Sequence, residues 1–149
     1  MDCIFCKIVK GEIPSVKIWE DDKFVAVLDR NPNTKGMTLV MPKAHFDSDA
    51  FLMPDDDYKE LMVAAKKVSG ILRKGLAVNR VAMIVEGMGV NHVHIKLYPL
   101  YGVEKEFKEI WAKERIFFND YQGYLSTQLG PQADIGDLQK VAKAIKNNS

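Results

Sequence analysis

Histidine is scarce in this chain, with three residues in 149, and there are only two cysteines. Two cysteines cannot build a disulfide framework, so the thiols are expected free in a reducing compartment. No sign of charge dominates: 21 basic residues stand against 20 acidic ones, for a net charge of +1. That balance excludes a long-range field that would gather nucleic acid or an anionic membrane. The apolar runs fall well short of the ~20 residues that a bilayer helix needs. The opening stretch MDCIFCKIVKGEIP lacks the basic segment and apolar core of a secretory leader. The expectation is a cytoplasmic protein with neither nucleic acid nor membrane among its partners, which recognises its ligand through a site.

What is present suffices for an ordinary core, since 47% of the residues are hydrophobic. VKIWE (16–20) and FVAVLD (24–29) are rich in β-branched and aromatic residues and flank Asp21-Asp22, which predicts a hairpin. NPNTKG (31–36) is a loop, and TLVMP (38–42) is a short buried strand ended by Pro42. Tyr58, Leu61, Met62, Ala65, Val68 and Leu72 recur at three and four, which predicts a helix over about 55–74 that Asp55 to Asp57 would cap. Strands follow at 80–85 and 90–99 around a turn at 86–89. The fold class is therefore α+β: an antiparallel sheet of about five strands with a main helix packed on one face. Beyond Gly102 the composition changes. Val103, Phe107, Ile110, Trp111 and Glu114 suggest a second helix, 123–131 a loop, and Ile135, Leu138, Val141, Ala142 and Ile145 a third helix. The expected organisation is a domain over 1–102 and a C-terminal helical extension over 103–149 docked on it.

Two of the three histidines fall in GVNHVHIKLYP (89–99). Side chains alternate along a strand, so His92, His94 and Lys96 share one face while Val93, Ile95 and Leu97 take the other. The apolar face accounts for the strand but not for two imidazoles and an ammonium in register. A neutral imidazole near pH 7 is a competent nucleophile toward phosphorus, and a lysine beside it offsets the charge of phosphate oxygens.

GVNHVHIKLYP resembles the signature strand of the histidine-triad (HIT) family, in which three histidines alternate with apolar residues. CIFCKIVKGEIPSVKIWEDDKFVAVLD and TLVMPKAH are similar to the N-terminal half of that family, so the resemblance spans about residues 3–99. It implies a homodimer sharing one continuous sheet, and hydrolysis or transfer at the α-phosphate of nucleotides. The middle histidine of the triad, His94 here, is implied as the nucleophile, with Lys96 and the backbone at Gly89 steadying the phosphate. Two departures are visible. Lys96 stands where the third histidine belongs, and branches that transfer nucleotides also lack that histidine. Val85 stands where many hydrolases have asparagine, and the short Met88-Gly89-Val90 replaces a Gly-Gln-Ser loop. Tyr124, Ser126, Thr127 and Gln128 are candidate replacements for the missing phosphate contacts.

Cys3 and Cys6 have the spacing that lets two thiolates clasp one metal ion, although a redox pair or two buried side chains use the same spacing. His45 and His92 are available to complete a tetrahedral set, leaving His94 for chemistry. HIT proteins with CxxC at this place bind zinc through the matching residues, so the resemblance implies a structural Zn2+ on Cys3, Cys6, His45 and His92. It likewise implies that Asp29 binds ribose and that Ile4, Phe5, Ile8 and Leu39 contact a purine. The residues alone leave core packing open for those four, and a turn role open for Asp29.

The leading expectation is a hydrolase acting on purine nucleotide derivatives such as those of AMP, a nucleoside phosphoramidate or a dinucleoside polyphosphate, through a nucleotidyl-histidine. The alternatives are a nucleotidyl transferase or phosphorylase, a non-catalytic nucleotide-binding module, and a zinc-stabilised adaptor.

Overall fold

The computed structural model of the chain describes residues 2–103 and 107–148. The chain divides into two compact units, Met1–Glu106 and Phe107–Ser149. The first holds helix α1 (Ile4–Val9), strands β1 (Lys17–Glu20), β2 (Phe24–Leu28) and β3 (Thr38–Pro42), helix α2 (Asp55–Gly75), and strands β4 (Arg80–Ile84) and β5 (Ile95–Leu100). The five strands form one antiparallel sheet in the order β1-β2-β3-β5-β4.

Pleating assigns each strand residue to a face. Phe24, Ala26, Val40, Ile95 and Leu97 turn toward α2 and meet Leu61, Ala64, Ala65, Val68 and Leu72. Val25, Val27, Leu39 and Met41 turn the other way, where Cys3 and Phe5 of the α1 segment cover them. The central strands are thus buried on both faces, which is why FVAVL and TLVMP read as continuous apolar runs. Leu61, Val68, Ile95 and Leu97 are essentially sealed from solvent, each worth about 1.5–3 kcal/mol of burial.

The expected helix over 55–74 is α2. Its acids do not cap it, however. The cap position is Pro54, without a side-chain bond, and Asp55, Asp56 and Asp57 lie in the first turn. There they complement the helix dipole, as Arg73 and Lys74 do at the other end. The β1–β2 turn is closed by Asp21, whose Oδ1 accepts from the backbone N–H groups of Lys23 and Phe24.

Two expectations need correction. The strand expected over 90–99 starts only at Ile95, and His92 and His94 precede it. The backbone there bonds elsewhere: His92 N–H donates to Val90 O at 2.8 Å, and Val93 N–H to Phe46 O at 3.1 Å. The helix expected over 103–114 is not formed in residues 107–114, while 104–106 lie outside the described residues. Phe107 and Ile110 are 90% and 85% exposed. An amphipathic stripe whose Phe107 and Ile110 stay exposed gives a short helix little stability. In the second unit the described helix is α3 (Ile135–Asn147), begun by Asp134, whose Oδ1 accepts from Gly136 N–H at 2.8 Å. No helix of the described residues is long and apolar enough to cross a membrane.

Candidate active and metal centre

The loop between β4 and β5 carries both histidines and is tied down at several points. Asn91 accepts from Ser48 N–H at 2.9 Å and donates to Asp47 Oδ1 at 3.0 Å. Gly87 packs close to the backbone of Ser48: a Cβ there would sit 3.1 Å from the Ser48 carbonyl oxygen. Its φ of +76° also suits glycine. These contacts hold the segment after β3, with His45, against the segment before β5, with His92.

His92 is fully buried. Its Nε2 lies 2.9 Å from the carbonyl oxygen of Pro42, which can only accept, so Nε2 carries the hydrogen. The Nδ1 lone pair then faces Cys3 Sγ at 3.5 Å and Cys6 Sγ at 3.6 Å. His45 Nδ1 lies 3.4 Å from Cys6 Sγ, and its Nε2 lies 3.8 Å from Asp47 Oδ1. The four ligand atoms of Cys3, Cys6, His45 and His92 all lie within 4.8 Å of one another, a group that could hold a metal ion. The α1 turn makes the thiols converge, since the N–H of Cys6 points back to Cys3 Sγ. Burial holds the imidazole of His92 below its usual pKa and pushes the Cys6 thiol up, the latter with a contribution from the neighbouring Cys3.

His94 is buried to 4% exposure. Its Nδ1 lies 2.7 Å from the carbonyl oxygen of His92 and donates to it. The free lone pair is therefore on Nε2. The ring meets Phe5 edge to face, with centroids 5.0 Å apart, and Phe5 also lies edge-on to His92 at 5.9 Å. The α1 phenyl thus stands against both imidazoles. Burial is the main reason that the His94 imidazole is held neutral below its usual pKa, and the Lys96 charge adds to it.

Lys96 lies opposite Leu39 on β3 and Ile84 on β4, on the face away from α2. Its ammonium is 3.1 Å from Glu86 Oε1. Tyr98 follows on the same face, its hydroxyl pKa raised by burial. Asp29 follows β2 directly, and its Oδ1 accepts from Asn31 N–H at 2.7 Å. Of the expected base contacts, Phe5 and Leu39 are buried, Ile8 is half-buried and Ile4 is 46% exposed. Ile4 and Gly89 line a hollow of about 520 Å³ beside Cys3 and His45. Tyr124, Ser126, Thr127 and Gln128 lie exposed in the second unit.

Reasoning from the chain alone missed Glu86, Asn91, Tyr98 and the Pro42 carbonyl. Tyr98 was legible, since it continues the i, i+2 series from His94. Asn91 and the Pro42 carbonyl act through partners distant in sequence, and Glu86 meets Lys96 only where β4 pairs with β5.

A profile of the HIT domain matches residues 10–102. An uncharacterised HIT-like protein of Methanocaldococcus jannaschii is 42% identical over 103 residues, covering 66% of this chain and 79% of its own. An adenosine 5'-monophosphoramidase of Candida albicans is 34% identical over 106 residues, covering 65% and 69%. The crystal structure of a HIT family member from Bacillus subtilis matches with a TM-score of 0.68 at 29% identity, over 100% of this chain and 98% of that one.

Proposed function

The chain belongs to the HIT domain family, and on that premise we propose that it cleaves purine nucleotide derivatives at the α-phosphate through a nucleotidyl-histidine on His94. The observation that carries the reading is the 2.7 Å bond from His94 Nδ1–H to the His92 carbonyl, which leaves Nε2 as the bare nitrogen. The Nε2 lone pair attacks the α-phosphorus. The bond from phosphorus to the leaving group breaks, and the leaving group takes that electron pair and gains a proton from solvent. Water then attacks the phosphorus, AMP departs, and the imidazole returns to its neutral form as the proton passes to solvent. Lys96 offsets charge at the phosphoryl oxygens, the backbone at Gly89 adds a contact, and Asp29 receives the ribose hydroxyls. Ile4, Phe5, Ile8 and Leu39 offer apolar surface to the purine. The name of the Candida albicans relative supports AMP phosphoramidates as the substrate class.

The metal reading is a structural Zn2+ on Cys3, Cys6, His45 and His92. With Zn–S near 2.3 Å and Zn–N near 2.0–2.1 Å, a tetrahedral site spaces sulfur from nitrogen by roughly 3.5 Å. The sulfur–nitrogen distances of 3.4, 3.5 and 3.6 Å agree with that spacing. When bound, the ion supplies cross-linking, and four protein ligands leave no position for a reacting water. The same family reading carries a homodimer, for which β4, at one edge of the sheet, offers a strand.

The test is intact mass after mixing with adenosine 5'-phosphorimidazolide. One adenylyl group is expected on the wild type and none on His94→Asn; an equal adduct on both proteins would overturn the assignment. A specific observation favours transfer as the second reading. The third triad position holds an ammonium already paired with a carboxylate, not an imidazole able to relay a proton to a leaving group. Inorganic phosphate added during turnover separates the two: ADP marks transfer, and AMP marks hydrolysis.

A further inference from the structure

We infer that Glu86 is a specificity-determining residue, which by holding the Lys96 ammonium makes the phosphoryl site prefer one negative charge to two. The inference rests on the nucleotide reading of the site.

Lys96 and Ile84 are direct partners across β4 and β5, and Glu86 lies two residues past Ile84. The two side chains meet at 3.1 Å, with Lys96 26% exposed and Glu86 only 11%. His94 precedes Lys96 by two on the same face. The cation nearest the nucleophile along the strand is thus met by a carboxylate before any ligand arrives. The charged groups acting on His94 are Lys96, Glu86 and Asp29, one positive against two negative. A site built to attract a phosphate dianion would carry a surplus of positive charge.

A largely desolvated pair contributes little stability beyond what well-packed apolar side chains would give. Its consequence here is electrostatic. An AMP derivative bonded through phosphorus to an amine or an alcohol carries one negative charge on that phosphorus, and free AMP carries nearly two above pH ~6. A carboxylate held on the Lys96 ammonium in this partly buried setting penalises the second charge far more than it would in water. Hydrolysis turns the first species into the second. The residue that tolerates the substrate therefore weakens the hold on the product, and AMP leaves as its second charge develops. The same balance disfavours chains of phosphates as leaving groups.

Calorimetric titration of the intact protein at about pH 8 with AMP and with its monoanionic methyl ester tests this. Wild type is expected to bind the ester about tenfold more tightly than AMP. Glu86→Gln should collapse that ratio by tightening AMP, and Glu86→Asp should restore it. Lys96→Met/Glu86→Gln removes both charges while keeping the hydrocarbon, and should bind AMP more weakly than Glu86→Gln does. An unchanged ratio in Glu86→Gln, or equal loss of both ligands as a purely structural role would give, overturns the inference alone. Binding of neither ligand to the wild type overturns it together with the nucleotide reading.

Discussion

The side-chain amide of Asn91 donates to Asp47 at 3.0 Å and accepts from the backbone of Ser48 at 2.9 Å. One residue thereby fastens the loop of His92 to the loop of His45. Asp47 in turn lies 3.8 Å from His45 Nε2, so the amide, the carboxylate and the imidazole stand in series. Outer partners of this kind orient metal-ligating histidines.

Asn91→Ala removes both bonds. Because Asn91 is exposed, the expected stability loss is about 1 kcal/mol, read as a shifted denaturant midpoint with an unchanged slope. Zinc affinity should fall about tenfold in a competition against a chromophoric chelator. Unaltered affinity would show that the two loops keep their relation without this residue.

On the proposed Zn2+ site, metal removal should act on stability before chemistry. Stripping the ion, or Cys6→Ser, is expected to lower Tm by about 5–10 °C. Burial raises the Cys6 thiol, so the thiol is protonated at neutral pH in the metal-free protein and must lose its proton to bind. Zinc affinity therefore falls as pH falls, and uptake releases the Cys6 proton. Calorimetry in two buffers of different ionisation enthalpy measures that release. Identical heats in both buffers would exclude Cys6 as a ligand.

Asp29 accepts the Asn31 N–H at 2.7 Å, so it serves the turn that leaves β2. Its second oxygen carries no hydrogen bond among the described residues, and the proposed ribose contact would use it. Asp29→Asn keeps an oxygen for the turn and loses the charge, so Tm should move by no more than about 2 °C. KM for an adenosine substrate should rise about tenfold, and the advantage of the ribo- over the 2'-deoxy-substrate should shrink. A large fall in Tm with an unchanged KM would assign Asp29 to the turn alone.

Much of this architecture was legible without coordinates, because local patterns report it. The apolar runs of β2 and β3, the three–four spacing in α2 and the alternation of Ile95 and Leu97 each reflect which faces are buried. The short helix α1 was not read, since six residues offer too little periodicity, and a helix was read over 103–114 although residues 107–114 form none. Phe107 and Ile110 have the helical spacing, but spacing does not supply a surface to bury it against.

The candidate site divides in the same way. Alternation put His94 and Lys96 on one face, and CxxC marked two thiols able to share an ion, because neighbours in sequence stay neighbours in space. Which nitrogen of each imidazole is bare depends on carbonyls that only folding brings near: Pro42 for His92, fifty residues away, and for His94 the backbone of His92 itself, turned inward. The counter-charge on Lys96 arrives from the neighbouring strand's end. Periodicity states what a face is made of, and tertiary packing decides what stands opposite it; proton positions and charge balance follow from the second.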